Sequence, residues 1–130
     1  MTEDATKTMG AIAWVDLTVP DAGSVPDFYK AVVGWTDSAV EMDGYDDFCM
    51  NEPGSGRAVA GVCHARGVNA DLPPRWLIYI NVEDLDASLA ACAERGGKVL
   101  GRVRQMGRAS RYCVIEDPAG AVAALFEPAR

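Results

Sequence analysis

Residues 111–128 read Arg-Tyr-Cys-Val-Ile-Glu-Asp-Pro-Ala-Gly-Ala-Val-Ala-Ala-Leu-Phe-Glu-Pro. Two apolar runs, 112–115 and 121–126, flank Asp117, Pro118, Ala119 and Gly120. Those four residues are turn chemistry: Asp caps its own backbone, Pro presets φ near −65°, and Gly supplies a position with φ > 0. The stretch therefore predicts an antiparallel hairpin. Whether its second strand carries a metal-binding carboxylate decides the functional reading.

Upstream, residues 11–19 alternate, with Val15, Leu17 and Val19 on one face and Trp14, Asp16 and Thr18 on the other, which is the period of a strand. Ser24 is positioned to cap a helix with Pro26 in its first turn, and Gly34 is positioned to end it. Val25, Phe28, Val32 and Val33 form the stripe expected to pack on the strand. Short strands are predicted over 37–42, 45–51 and 57–64, and residues 71–74 (Asp-Leu-Pro-Pro) form an extended connector. The pattern then repeats: a strand over 76–82, a helix capped by Asp84 and carrying Leu85, Leu89 and Cys92, a Gly96-Gly97 stop, and a strand over 98–104 before the hairpin.

Superposing the halves tests the repeat. A shift of 63 residues lays Asp16 on Tyr79 and Gly34 on Gly97; a shift of 64 lays Phe48 on Tyr112, Ala60 on Ala124 and Gly56 on Gly120. The fold class that follows is α+β, with two β-α-β-β-β modules forming an eight-stranded, cupped, mixed sheet and helices on its convex face. The expected divisions are a disordered tail over 1–9, a first module over 10–70, a linker over 71–74 and a second module over 75–130.

The totals narrow the function classes. A chain of 130 residues that is 49% apolar forms one compact domain, and its formal charge of −7 argues against nucleic acid or an anionic membrane as partner. The concentration of arginines at 102, 104, 108 and 111 reads as solvated strand and loop residues, with an anionic substrate group as the minor alternative. No apolar run approaches the ~20 residues that span a bilayer, and the expected location is cytoplasmic. Cys49, Cys63, Cys92 and Cys113 lack the C-x-x-C spacing of a zinc or redox site.

The order of elements, the segment from Asp16 through Asp27-Phe28-Tyr29 to Gly34-Trp35, the Gly-Gly helix end and the Asp117-Pro118-Ala119-Gly120 hairpin resemble the vicinal oxygen chelate superfamily of glyoxalases, bleomycin-resistance proteins and extradiol dioxygenases. The resemblance covers about residues 10–128. It implies a cup whose concave face holds a divalent metal, on ligands at the first and last strand of each module, usually within a homodimer. Those positions fall here on Trp14, Ala60, Leu77 and Ala124, none of which offers a metal donor. His64, the single histidine, reads as a rim or surface residue, and Glu127 falls on the opposite face from Ala124.

The expected reading is thus a metal-free, cofactor-free protein that sequesters an aromatic or amphipathic metabolite or antibiotic. Its ligand surface is expected from Trp14, Asp16, Thr18, Leu77, Tyr79, Asn81, Phe48, Tyr112, Val122 and Phe126. Two alternatives stay open: a metal-independent lyase or isomerase using Asp16 and Tyr79 as an acid/base pair, and a structural module whose cup is filled by its own side chains.

Overall fold

The computed structural model describes residues 8–107 and 109–129. The tail expected over 1–9 therefore lies mostly outside the described residues. The chain clusters into two compact units: residues 15–76, and residues 77–130 together with the first 14. Each contains one α-helix and a four-stranded mixed sheet, with a short 3-10 turn at Gly67–Asn69 in the first, giving the expected α+β pair of β-α-β-β-β modules.

In the first-half unit, β1 (Ile12–Val19), α1 (Val25–Val33), β2 (Thr36–Glu41), β3 (Asp46–Asn51) and β4 (Ala58–His64) assemble in the sheet order β2-β3-β4-β1, of which β1 contributes its portion from Val15 onward. β1 lies parallel to β4, with Asp16 opposite Gly61 and Thr18 opposite Cys63. β3 runs antiparallel to β4, with Phe48 opposite Val62 and Met50 opposite Ala60. Residues opposite one another share a face. Ala60, Val62, Met50, Phe48 and Val19 therefore form the helix-side face, packed with Ala22, Val25, Tyr29 and Trp35.

Two expectations for α1 are corrected. Ser24 makes no capping bond to the helix, because its backbone is already helical (φ −93°, ψ −20°) where a cap is extended, and its hydroxyl is turned to donate to the Asp21 carboxylate at 2.8 Å. The packing stripe is also rotated: Phe28, Val32 and Val33 are 59%, 65% and 53% exposed, while Pro26 is buried and Val25 and Tyr29 meet the core. Two apolar stripes lie side by side on this helix, and periodicity alone does not choose between them. Tyr29 is the anchor, donating and receiving ring contacts with Trp35 and Trp76 at 5.6 and 5.4 Å and accepting a 3.1 Å hydrogen bond from the Trp76 indole N–H. Gly34 ends the helix in the left-handed region (φ 88°) as expected.

The second-half unit contains β5 (Trp76–Asn81, from Leu77 onward), α2 (Leu85–Glu94), β6 (Lys98–Met106), β7 (Ser110–Glu116) and β8 (Val122–Glu127), in the order β5-β8-β7-β6. Thr8 and residues 10–11 are tied to this unit, because Asn81 exchanges backbone hydrogen bonds with Gly10 and Ala11 and its side-chain amide donates to the Thr8 carbonyl at 3.2 Å. Asp84 caps α2 through Ala87 N–H at 3.1 Å. The Glu127 carboxylate adds a second cap, accepting from Leu85 N–H at 2.9 Å while pairing with Arg111. Leu85, Cys113 and Leu125 are buried beneath the helix with Ile80, Val82 and Leu89 around them.

The hairpin turn forms as its residues dictate. The Asp117 carboxylate accepts from Ala119 and Ala121 N–H at 2.8 and 3.0 Å, and Gly120 sits at φ 87°. β6 carries an irregularity between Leu100 and Arg104, with Gly101 at φ 77° inside it. Among the described residues no helix is long and apolar enough to cross a membrane.

Gly97 is held by a close approach: a Cβ there would sit 2.6 Å from Cys92 Sγ and 2.9 Å from the Glu116 carbonyl oxygen. Gly97→Ala should cost about 2–4 kcal/mol in urea unfolding, because the backbone carbonyl has no room to move aside. The two helix starts give a matched comparison. Asp84→Ala should lose about 1 kcal/mol, and Ser24→Ala should change stability by under about 0.5 kcal/mol, since Ser24 makes no capping bond.

Candidate functional site

The register separates the ten expected ligand-lining residues into two sets. In the second-half unit Tyr79 stands opposite Ala124, and Asn81 opposite Phe126, across the parallel β5–β8 pair. Tyr112 stands opposite Phe126, Val114 opposite Ala124 and Glu116 opposite Val122 on β7. Leu77, Tyr79, Asn81, Tyr112, Val122 and Phe126 thus share the face turned away from α2. Leu77, Tyr79, Asn81 and Tyr112 are buried, and the rings of Tyr79 and Tyr112 meet edge to face at 5.7 Å. Trp14 belongs to this unit and is half-buried.

Two residues of this face were not anticipated. Val114 follows from the alternation of β7 and is buried. Arg104 stands opposite Tyr112 and is only 3% exposed. Its place was hidden because the irregularity at Gly101 shifts the alternation of β6. One row across four strands therefore reads Asn81, Phe126, Tyr112, Arg104: an amide, two rings and a guanidinium. At about 4.8 Å per strand the row is roughly 14 Å long.

In the first-half unit, Asp16 and Thr18 lie on the face away from α1, beside Gly61 and Cys63, with Cys49 opposite Gly61. Phe48 does not join them. It sits opposite Val62 in the helix-side core, which corrects the expectation that it lines the ligand surface. Ala60 is corrected likewise: it is buried in that same core, and the residue opposite Asp16 is Gly61. The physical reason is a longer turn. Twelve positions separate the cross-strand partners Cys49 and Gly61, and ten separate Val114 and Ala124. The observed offset is therefore 63 for the first and last strands and 65 for the third, and the offset of 64 expected for the third and last strands turns both Phe48 and Ala60 to the wrong face.

This first face is polar. The Asp47 carboxylate accepts from the backbone N–H of His64 at 2.8 Å and lies 3.4 Å from its ring Nδ1. His64 is thus partly enclosed, with its ring edge-on to Tyr45 at 5.4 Å and the Arg66 guanidinium 4.0 Å over that tyrosine ring. Burial first, then the Asp16 and Asp47 charges, push the Cys63 thiol far above its usual range. Burial, then Asp16, raises Cys49 as well. These thiols are protonated at neutral pH and poor nucleophiles.

A metal does not fit the positions implied by the resemblance. Trp14, Leu77, Ala124 and, by the observed register, Gly61 supply no oxygen, sulfur or imidazole donor. Among the described residues no group of three or more His, Cys, Asp or Glu side chains could hold a metal ion.

Because an acid whose folded pKa is raised binds its proton more tightly in the folded state, the thiol contribution to stability is intact below the unfolded pKa and declines above it. The urea-unfolding free energy should therefore fall as pH rises above about 9. Iodoacetamide at pH 8 should leave Cys63 unmodified in folded protein and modify it in urea, read by peptide mass spectrometry. Labelling at the rate of an exposed thiol would contradict the placement.

The comparisons with known proteins agree with this architecture. CFP32 of Mycobacterium tuberculosis (strain CDC 1551 / Oshkosh), whose name calls it a glyoxylase, is 30% identical over 120 residues, which cover 92% of this chain and 45% of that protein. The anthracycline biosynthesis protein DnrV of Streptomyces peucetius is 31% identical, over 90% of this chain and 46% of its own length. The chain spans about half the length of these curated relatives. Among solved structures, methylmalonyl-CoA epimerase from Mycobacterium tuberculosis superposes with a TM-score of 0.57 at 21% identity, over 95% of this chain and 93% of that one. That likeness is one of fold. The family model for the Glyoxalase/Bleomycin resistance protein/Dioxygenase superfamily matches residues 11–125, and the chain belongs to that superfamily.

Proposed function

We propose that this protein binds a small aromatic or amphipathic molecule without a metal, sequestering it in the manner of a resistance protein. The observation that carries the reading is the α2-free face of the second-half unit. Tyr79, Tyr112 and Phe126 surround Ala124, a methyl group at a position where the superfamily resemblance implies a donor. Rings meeting edge to face beside aliphatic side chains suit a planar, largely apolar ligand. The names of the curated relatives, one a glyoxylase and one an anthracycline biosynthesis protein, are compatible with a small organic ligand. Four free thiols suit a cytoplasmic setting.

A homodimer is part of the same reading. Phe28, Val32 and Val33 give α1 an exposed apolar stripe, and the curated relatives are about twice as long as this chain. Light scattering should return twice the 13.8 kDa chain mass, and Val32→Glu should shift it toward the monomer.

A thermal-shift screen of small aromatic metabolites should yield hits, and isothermal titration should show Tyr79→Ala weakening the best hit about tenfold or more. Elemental analysis that found one equivalent of Fe, Mn, Zn or Ni per chain in purified protein would overturn the metal-free reading.

A further inference from the structure

We propose that Asp43 is a site of spontaneous backbone modification, at which its side chain cyclises onto the Gly44 nitrogen and the ring reopens in water to leave an isoaspartyl linkage. This chemistry needs no bound ligand and no partner. Asp43 is the one aspartate in the sequence that precedes a glycine, and no asparagine precedes one. After every other aspartate the next residue carries a Cβ that crowds the attacking nitrogen, and Pro118 after Asp117 has no N–H at all. The carboxylates differ as well. Asp21 accepts from Ser24, Asp47 from His64, Asp84 from Ala87, and Asp117 from Ala119 and Ala121. Among the described residues nothing bonds the Asp43 carboxylate, and both Asp43 and Gly44 are exposed.

The backbone around Asp43 has room for the reaction. Gly44 sits at φ 86°, with nothing within 4 Å of the place a Cβ would take. Its N–H donates to the Met42 carbonyl at 3.0 Å, a contact across three residues that belongs to no sheet ladder, and an exposed turn of this kind opens at little free-energy cost. A cavity of about 300 Å³ beside the turn, lined by Glu41, Met42, Gly44, Tyr45 and Asp46, brings water to the ring. In the first step the Gly44 nitrogen bonds to Asp43 Cγ and loses its proton, and a carboxyl oxygen leaves as water. In the second, water adds to a ring carbonyl. Opening at Cγ restores aspartate, and opening at the main-chain carbonyl leaves the chain running through Cβ and Cγ, with the mass unchanged. That adds one atom to the main chain inside a turn that Met42 N–H closes on the Tyr45 carbonyl at 2.8 Å, with Glu41 opposite Asp46 beyond it. The longer path breaks this closure and moves Tyr45, whose ring meets His64 at 5.4 Å and carries the Arg66 guanidinium at 4.0 Å.

The test incubates the full chain at physiological temperature, folded and in urea, and locates isoaspartate by peptide mass spectrometry with electron-transfer fragmentation. Folded protein should accumulate it at position 43, at a rate within about tenfold of the unfolded chain, as expected for a turn that opens freely. Asp43→Asn, which loses ammonia in place of water, should reach the same product faster, and Asp43→Glu, whose ring would be larger, should not form it. In aged wild type the imidazole NMR signals of His64, the single histidine, should split into two sets in proportion to the isoaspartate. The wild-type comparison stands even if the variants fold poorly. Isoaspartate at position 43 in urea but not in folded protein, its absence from both, or equal modification at the other aspartates of the folded chain overturns the proposal. An unsplit His64 signal in protein shown to be modified overturns the displacement of Tyr45.

Discussion

The parallel pairing of β5 with β8 places Tyr79 opposite Ala124, and the chemistry of the second-half face depends on that register. A strand alternates its side chains with period two, so one fixed pair commits every other residue on both strands to a face. From it follow Asn81 beside Phe126 and, through the antiparallel hairpin, Tyr112 and Val114. The opposite face receives Ile80, Cys113 and Leu125, which α2 covers through Leu85. The Asp117 turn holds the hairpin in phase, because its carboxylate accepts two backbone N–H groups and its own N–H donates to Ala121 at 2.7 Å. A turn with one residue more or fewer would exchange the contents of the two faces on β7.

The same module, used twice, presents two chemistries. In the first-half unit the face away from α1 carries Asp16, Thr18, Cys49 and Cys63, with Asp47 reaching the strand-end His64. In the second-half unit it carries rings, aliphatics, an amide and a guanidinium. On the first face burial raises the Cys49 and Cys63 thiols, which keeps them protonated and poor nucleophiles. The second face combines apolar side chains with two buried polar groups, Asn81 and Arg104. Fold alone would not choose between these roles, because this architecture hosts unrelated functions.

Much of the fold was legible because its signals were local. The Asp-Pro-Ala-Gly turn, the Asp84 cap, the Gly34 stop and the alternation of β1 each determine their own few residues. What depended on distance was misread. An offset of 64 for the third and last strands lies between the observed 65 and 63, and it turns Phe48 and Ala60 toward the ligand face when both pack against α1. Ser24 had a competing acceptor in Asp21, and the stripe of Phe28, Val32 and Val33 had an equally apolar neighbour in Val25 and Tyr29. Arg104 escaped because an irregularity in β6 is invisible to period-two counting.

Arg104 also changes what the substitution of donors by methyl groups means. Ala124, lying between Tyr79 and Val114, removes a side chain from the middle of the face and leaves its polar groups at the ends of the Asn81 to Arg104 row. Burying that guanidinium carries a desolvation cost of several kcal/mol unless an anion and good hydrogen-bond geometry offset it. A residue that serves packing alone would meet the same space more cheaply as methionine or leucine. At 3% exposure the Arg104 guanidinium is therefore held by interactions of the fold, and its charge is part of how this face is built.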